Sequence, residues 1–196
     1  MILEGVVTTR NADGGVNVAP MGPKLRVGDD GMPRFDRLLL RPFKTSATYC
    51  NLARERCGVF HVTDDVLLLA RAAVLDAFEP PPTTPAAEVS AARLADCCRY
   101  YEFVVDSIDE SEDRTTMEAR VVRSGRVRDF FGLNRAKHAV VEAAILATRR
   151  HLIAADALRA EFDRLRPLVE KTGGPAEHEA FALLERVVTA GAEADR

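Results

Sequence analysis

The chain has 196 residues, of which 47% are hydrophobic, enough to bury the core of one domain of ordinary size, or of one core domain with an appendage. It contains 27 Lys and Arg residues and 30 Asp and Glu residues, which gives a formal net charge of -3. Binding to nucleic acid or to an anionic membrane surface needs a basic excess that neutralises phosphates. The balance therefore argues against both of these partners.

No apolar run in the sequence is long enough to cross a bilayer. The opening segment, MILEGVVTTR, lacks the basic, apolar and small-residue stages of a secretory signal, so we expect a cytoplasmic protein. The four cysteines, Cys50, Cys57, Cys97 and Cys98, match neither a zinc pattern nor a redox pattern. We expect reduced and mostly buried thiols, and no metal site.

The first half of the chain reads as antiparallel hairpins rather than alternating βαβ units. Strands are predicted at 2–9, 16–21, 37–41 and 59–63, and the segment Asn11–Gly15 (NADGG) is a turn. Helices are predicted at 46–56, ended by Gly58, at 66–73, capped by Asp64 and Asp65, and at 86–98. The proline run 79–82 between the last two helices is predicted to be a loop.

Two long strands, 100–108 and 115–122, follow and are joined by an acidic turn at 109–113. Everything after Asn134 is predicted to be helical. The first helix runs from 134 to about 153, Asp156 caps the second, and Pro175 begins the third after Gly173 and Gly174. We therefore expect a sheet-based core at 1–133 and a helical extension at 134–196, packed on the core and on a dimer interface.

The apolar residues of these helices indicate how they pack. In the second helix Leu158, Phe162, Leu165 and Val169 repeat at the spacing of one buried face, and Pro167 should bend the helix. The third helix carries a stripe of Phe181, Leu184 and Val188. The first helix is apolar or small on nearly every side. Such a helix is normally buried, and we expect it to lie between the core and a second subunit.

The strongest local signal is the segment RPFKTSATYCN, Arg41–Asn51. A helix start offers unpaired N–H groups and the positive end of the helix dipole, and a phosphate dianion prefers such donors beside cations. This helix start lies beside two cations and three hydroxyl groups, namely those of Arg41, Lys44, Thr45, Ser46 and Thr48. On composition alone, an ordinary capped surface helix is the more common interpretation.

Two further segments are candidates. The strand ending in Ala19, Pro20, Met21 and Gly22 exposes backbone without bulky side chains, so a flat aromatic ligand could pack on it; a plain hairpin is the alternative. Asn134, Arg135 and Lys137 cluster at another helix start and could bind an anion or complete a site in a neighbouring subunit; a capped, solvated helix is the alternative.

Lone histidines give weaker signals. His138 and Glu142 lie four residues apart, which favours a solvated pair over a metal or acid–base site, and His61 is more typical of the core than of a catalyst. The sequence contains no GxGxxG, GxxxxGK[ST], HExxH or GxSxG motif. Without an obvious nucleophile and base, the chemistry is expected to belong to a cofactor.

The order of these segments resembles a known family. A strand, RNADGGVNVAPMG, a strand, RPFKTSATYCNL and then GVFHVTDD are similar to an uncharacterised protein family related to flavin reductases. The later segment GLNRAKHAVVEAAILATRRHL resembles that uncharacterised branch specifically, so the match spans most of 1–152. Ordinary flavin reductases lack the two helices that follow Asp156, and no nicotinamide-binding element is evident here.

The resemblance implies a mainly β fold with additional α-helices: a six-stranded antiparallel split β-barrel that forms a homodimer and binds FMN near the subunit boundary. It implies that the phosphate is surrounded by Arg41, Thr45, Ser46, Thr48 and Asn51 and that the isoalloxazine lies along Ala19, Pro20, Met21 and Gly22. Tyr49 belongs either to this site or to the core. Asn134, Arg135 and Lys137 would come from the partner subunit.

Four functions follow as hypotheses. The first is an FMN-dependent oxidoreductase acting on a small molecule, and the second is a non-catalytic flavin-binding protein or carrier. A third keeps the split barrel but replaces FMN by a deazaflavin or haem, and the fourth is a scaffold without a ligand. The sequence names neither the substrate nor the electron donor.

Overall fold

The computed structural model describes residues 1–194, with side chains described as far as Ala190. The strands, in chain order, are β1 (Gly5–Arg10), β2 (Val16–Met21), β3 (Lys24–Val27), β4 (Pro33–Leu40), β5 (Cys57–Val62), β6 (Thr83–Pro85), β7 (Ala92–Leu94), β8 (Arg99–Asp109) and β9 (Thr116–Arg126). The helices are α1 (Ala47–Glu55), α2 (Val66–Val74), α3 (Arg135–Thr148), α4 (Ala155–Thr172) and α5 (Pro175–Ala194).

The chain forms two compact units. The sheet unit comprises residues 1–63 and 80–130, and the helical unit comprises 64–79 together with the chain from Phe131 onward. Helix α2 thus belongs to the helical unit, although the sequence analysis placed it with the strands. Among the described residues, no helix combines the length and the apolar character that a bilayer-spanning segment needs.

A seven-stranded antiparallel sheet forms the sheet unit, in the order β2-β1-β5-β8-β9-β4-β3. It is not a closed barrel, because β2 and β3 are edge strands. An isolated bridge between Ile2 and Lys24 nevertheless brings the residues before β1 beside β3. The fold class expected from the sequence, a mainly antiparallel β fold with helices, is confirmed.

The seventh strand, β3, corrects the expected count of six. This strand has four residues, and only Leu25 among them is buried. So short a segment carries too little alternation of apolar and polar residues to be recognised in the sequence. It is held instead by long-range pairing with β4, with an irregular register between Lys24 and Arg26.

The hydrophobic core of the sheet unit lies on one face of the sheet, where aromatic and aliphatic side chains from most strands meet α1. Its buried members are Val7, Leu25, Leu38, Leu40, Leu52, Phe60, Tyr101, Phe103, Val105, Met117 and Ala119. The alternation of side chains along a strand explains why Val7 is in this core while Val6 and Thr8 point to the opposite face.

The opposite face carries buried polar side chains that bind the short β6–β7 hairpin. The Glu102 carboxylate accepts the N–H groups of Ala87 and Glu88, at 3.0 and 2.7 Å. The Thr8 hydroxyl donates to the carbonyl of Ala92, in the returning strand of the hairpin. The helix predicted at 86–98 is wrong, because Ala92–Leu94 forms a strand that pairs with Thr83–Pro85, and the bonds from Glu102 and Thr8 attach this hairpin to the sheet.

His61 completes this contact between the sheet and the hairpin. Its Nδ1 lies 3.2 Å from the carbonyl oxygen of Val6, and its Nε2 lies 3.0 Å from the amide of Leu94. Because a carbonyl only accepts and an amide only donates, the ring is neutral with its proton on Nδ1. Burial lowers the pKa of His61 to about 4. The expected core role of His61 therefore matches its position.

Several predicted element ends shift by a few residues. Helix α1 ends at Glu55, and its C-cap residue is Arg56, which adopts a left-handed φ of 55°, and not Gly58. Gly58 lies in β5, where a Cβ atom would come within 2.9 Å of Phe103 Cζ. Helix α3 ends at Thr148, before a short 3-10 turn at Arg150–Leu152.

The second C-terminal helix, α4, also begins differently from the prediction. Ala154 is its N-cap residue, so Asp156 lies in the first turn, where a carboxylate favours the helix dipole. Pro167 lies inside α4, which continues to Thr172. The predicted face of Leu158, Phe162, Leu165 and Val169 is buried as expected.

The helical unit buries the apolar surface of α3 within a single chain. Six α3 residues pack in one core with α2, α4 and α5: Ala136, Ala139, Val140, Ala143, Ala144 and Ala147. The small side chains on several faces of α3 thus allow three helices to approach it. These residues of α3 do not need a second subunit to cover them, contrary to the prediction, because α2, α4 and α5 already do so.

Acidification should destabilise the protein through His61. The folded-state pKa is lowered to about 4, whereas an unfolded histidine titrates near ~6.5. The stabilisation by the neutral ring is therefore present above that unfolded value and is lost as the pH falls towards 4. We expect a loss of about 2 kcal/mol between pH 7 and pH 5, measured by urea denaturation.

His61→Gln, which does not titrate, should be less stable at pH 7 but should lose less stability on acidification. His138→Gln, at an exposed position on α3, is the control and should retain the wild-type pH dependence. A His61→Gln variant with the full wild-type pH dependence would show that His61 is not the responsible group.

A charge placed inside the α3 core should unfold the helical unit. Ala143 is fully buried, so Ala143→Glu places an unpaired carboxylate among apolar side chains, at a cost of several kcal/mol. Thr148→Glu introduces the same residue at an exposed position of α3 and should leave the melting temperature nearly unchanged. Equal melting temperatures for the two variants would contradict this packing.

Candidate functional site

The start of α1 has the capping geometry predicted from the sequence. Ser46 is the N-cap residue, and its hydroxyl accepts the amide of Tyr49 at 3.1 Å. The same hydroxyl donates to the carbonyl of Phe43, so Ser46 is fully engaged in the cap. Thr45 precedes it and is exposed. The other amides of the first helical turn are donors without intrahelical partners, as in any α-helix.

Two cations and one phenol of this segment meet the acidic turn between β8 and β9. The Arg41 guanidinium lies 2.6 Å from the Glu112 carboxylate. The Lys44 ammonium donates to the carbonyl of Glu110 at 2.6 Å, and the Tyr49 hydroxyl donates to the Glu110 carboxylate. This hydrogen bond, followed by desolvation, raises the pKa of Tyr49. Positive charge beside α1 is thus concentrated opposite one negatively charged turn.

Thr48 and Asn51 project from α1 in another direction, into a buried hydrogen-bond network with the β1–β2 hairpin. The Asn17 amide donates to Thr48 Oγ1 at 3.1 Å and to Thr9 Oγ1 at 3.0 Å. The Asn51 amide donates to the same Thr9 oxygen at 3.0 Å and to Asn11 Oδ1 at 2.8 Å. Both α1 residues are buried, so their first role is to fix α1 on β1 and β2.

The segment from Ala19 to Gly22 forms the end of an edge strand. Ala19, Pro20 and Met21 pair with β1 on one side only, and each is half-buried. Proline suits an edge strand because it has no N–H group to contribute to a ladder. A Cβ atom at Gly22 would lie 2.8 Å from Ile2 Cγ2 and 3.0 Å from the Glu4 carboxylate. Gly22 therefore faces the segment before β1.

The side chains of Asn134 and Lys137 form hydrogen bonds within the helical unit. Asn134 caps α3 and also donates to the carbonyl of Thr172 at 3.0 Å. Lys137 donates to the carbonyl of Asp64 and to the carboxylate of Glu177, both at 2.8 Å. Arg135 is exposed. Of these three predicted ligands, Arg135 is the one whose side chain has the most access to solvent.

Glu177 makes the contact with Lys137 a buried ion pair. Burial alone would raise the pKa of Glu177, but hydrogen bonds from Lys137 and from the amide of Gly174 outweigh it, and the pKa lies below its usual value. Removing one partner of such a pair leaves the other charge buried and unpaired, which is costly. A flavin-binding role for Lys137 stays a prediction, and it would require this pair to open.

The residues that hold the predicted ones in place were not expected from the sequence. Thr9, Asn11 and Asn17 lie on the hairpin, and Glu110 and Glu112 lie on the turn after β8. Asn17 stands between two valines in the predicted strand, an alternation that places its side chain on the opposite face of the sheet but identifies no partner. The pairing of the two glutamates with Arg41 and Tyr49 spans more than sixty residues and has no local signature.

The fold that carries this geometry is of the flavin-reductase-like type. The flavin reductase of the styrene monooxygenase from Pseudomonas putida S12 superposes with a TM-score of 0.51 at 15% identity, covering 65% of this chain and 82% of that one. Component B of the nitrilotriacetate monooxygenase from Bacillus cereus gives a TM-score of 0.50 at 17% identity, with 64% and 70% covered. The predicted relation to the flavin-reductase fold is confirmed.

The family itself is shown by the sequence. Residues 3–128 match the model described as "Protein of unknown function (DUF447) N-terminal domain", and residues 134–186 match "Protein of unknown function (DUF447)". The chain therefore belongs to the DUF447 family, the uncharacterised family expected from its motifs. A comparison with curated proteins finds no match.

One solved structure resembles both units. An FMN-bound DUF447 protein from Methanosarcina mazei superposes with a TM-score of 0.79 at 22% identity, covering 95% of this chain and 94% of that one. At this identity the likeness establishes the fold, over a larger share of the chain than the 65% and 64% covered by the other two structures.

The buried network should make a measurable contribution to stability. Asn51→Leu keeps a similar volume but removes the two hydrogen bonds to Thr9 and Asn11, so that Thr9 Oγ1 keeps only the Asn17 amide and Asn11 Oδ1 loses the Asn51 amide. We expect a loss of about 1–3 kcal/mol in the free energy of unfolding. Cys50→Ala, at the exposed neighbouring position, is the control and should change stability little. A neutral Asn51→Leu substitution would show that the network does not stabilise the α1–hairpin contact.

Proposed function

We propose that this protein binds FMN, with the phosphate at Arg41, Lys44 and the start of α1, and with the isoalloxazine along the free edge of β2. The proposal combines the family membership with the FMN-bound relative, which shares the fold over nearly the whole chain. The cofactor supplies hydride or electron transfer at its ring when bound. The residues of this chain bind and orient it.

The main observation in support of the proposal is the buried hydrogen-bond network between α1 and β2, the two elements that would hold the two ends of the cofactor. The Asn17 amide on β2 bonds Thr48 on α1, and Asn51 on the same helix bonds the turn that begins β2. A ligand that spans phosphate and ring needs both contacts at a fixed separation. Rigid support behind the binding groups provides that preorganisation.

The phosphate end has the charge that such a ligand requires. Arg41 is exposed and offers a planar fork of donors, which suits a phosphate, and Lys44 adds a point charge. Thr48 and Asn51 are buried behind this surface, and Ser46 is occupied as a cap. In this proposal Arg41, Lys44 and the α1 amides contact the phosphate directly, and Thr48 and Asn51 act as positioning residues.

We further propose that the bound flavin turns over, as an FMN-dependent oxidoreductase acting on a small molecule. The fold of two flavin-reductase-like neighbours supports this class. The alternative is a flavin carrier without turnover. Anaerobic mixing of the FMN-loaded protein with NADH or NADPH, followed by air or a dye acceptor, distinguishes them: bleaching and rapid recovery of the flavin absorbance support turnover. Mass spectrometry of the co-purified ligand tests FMN against a deazaflavin or haem.

The remaining proposal is a homodimer in which a neighbouring subunit completes the site, with Arg135 as its contribution. Large apolar side chains are exposed immediately before α3, with Phe131 71% and Leu133 88% accessible in one chain. Exposed apolar patches often mark interfaces. Light scattering at micromolar concentration measures the mass, and a monomer that binds FMN would contradict this proposal.

Arg41→Ala should weaken FMN binding by about 1.5–3 kcal/mol, the range for a hydrogen bond to a charged group. Riboflavin lacks the phosphate, so its affinity should be low in the wild type and nearly unaffected by the substitution. Both affinities are measured by titrating the flavin fluorescence.

Arg37→Ala is the matched control. Arg37 lies four positions earlier, is similarly exposed, and pairs with Asp106 as Arg41 pairs with Glu112. Its removal should leave FMN binding close to that of the wild type. Equal losses for FMN and riboflavin with Arg41→Ala would show that Arg41 does not contact the phosphate.

A further inference from the structure

The acidic turn at 109–113 is positioned against the cations proposed to bind phosphate. Arg41 pairs with Glu112 at 2.6 Å, and Lys44 donates to the Glu110 carbonyl at 2.6 Å. The backbone reinforces this contact, because the amide of Lys44 bonds the carbonyl of Asp113 and the amide of Thr115 bonds that of Pro42. The Glu112 carboxylate is therefore paired with the Arg41 guanidinium. The backbone hydrogen bonds keep the turn that carries Glu112 close to Arg41.

We propose that Glu112 is an intramolecular competitor for the phosphate at Arg41 and so a determinant of affinity for phosphorylated ligands. This inference rests on the proposed FMN site. A ligand phosphate that binds Arg41 must first displace the Glu112 carboxylate. A flavin without a phosphate makes no contact with Arg41 and leaves the pair intact. Glu112 thus lowers the affinity for FMN without changing the affinity for riboflavin.

The solvent exposure of the Arg41–Glu112 pair determines how strongly Glu112 competes with a phosphate. The side chains of Arg41 and Glu112 are 44% and 71% exposed, so the pair is solvated and weak. A phosphate monoester carries nearly two negative charges at neutral pH and accepts several hydrogen bonds, so it displaces a single carboxylate. The pair therefore lowers the affinity for a phosphate but does not prevent the phosphate from binding to Arg41.

Other parts of the turn remain in place when Glu112 is displaced. Lys44 is held through main-chain carbonyl and amide groups, and Arg114 donates to the carbonyl of Arg41 at 2.8 Å. These contacts do not depend on the Glu112 carboxylate. Arg41 is thereby positioned by its backbone while its side chain exchanges between two anions.

The test is a double-mutant cycle on the full-length protein, read by FMN and riboflavin titration. Glu112→Gln should tighten FMN binding about twofold to fivefold and leave riboflavin binding unchanged, as the loss of an exposed pair predicts. In the Arg41→Ala background the same substitution should give no gain. Glu88→Gln is the control, because Glu88 is an exposed glutamate paired with Arg123 elsewhere in the sheet unit.

Each outcome decides the proposal. A gain with Glu112→Gln that Glu88→Gln lacks, and that disappears without Arg41, supports it, and Glu112→Ala should repeat the gain. FMN binding that is equal in Glu112→Gln and Glu88→Gln overturns it while leaving the FMN site intact, and weaker binding with Glu112→Gln also overturns it. Wild-type protein that does not bind FMN at all overturns the proposed function together with this inference.

Discussion

The hydrogen-bond network between α1 and the β1–β2 hairpin is the interaction on which the candidate site depends. The hydroxyl oxygen of Thr9 accepts two side-chain amides, one from Asn17 on the neighbouring strand and one from Asn51 on the helix. Buried amides and hydroxyls are costly unless paired, so the three groups fix one another's positions. Helix α1 then presents its N-terminus at a constant distance from the edge of β2.

Paired, buried polar groups also fix the structure on the other face of the sheet. Glu102 and His61 are buried polar side chains whose hydrogen bonds go to backbone groups of the β6–β7 hairpin. An irregular segment has few apolar contacts to offer, and specific hydrogen bonds replace them. The sheet therefore uses one face for an apolar core and the other for directional polar contacts. This division gives Glu102 and His61, on two central strands, a structural role in holding the hairpin.

Sequence reasoning succeeded where the signal is local. The turn at Asn11–Gly15, the start of the helix near Ser46 and the buried face of α4 are each specified by residues near one another in the sequence. It failed at 86–98, where alanine and glutamate favour a helix but Ala92–Leu94 pairs as a strand with Thr83–Pro85, and Thr8 and Glu102 attach this hairpin to the sheet. It also named Thr48 and Asn51 without their partners, because hydrogen bonds across thirty or forty residues leave no periodic pattern.

The position of α2 in the chain has a consequence for biosynthesis. The chain leaves the sheet unit at Asp64, contributes α2 to the helical unit, and returns to the sheet at Pro80. The apolar side chains of α2, such as Leu69 and Ala70, are buried against helices that a ribosome makes only after residue 134. Because a ribosome adds roughly 5–20 residues per second, several seconds pass between the synthesis of α2 and that of the helices that cover it. Nascent chains of this protein therefore expose this apolar segment until α3, α4 and α5 have been made, and a fragment that begins at α3 lacks the α2 side chains of its core.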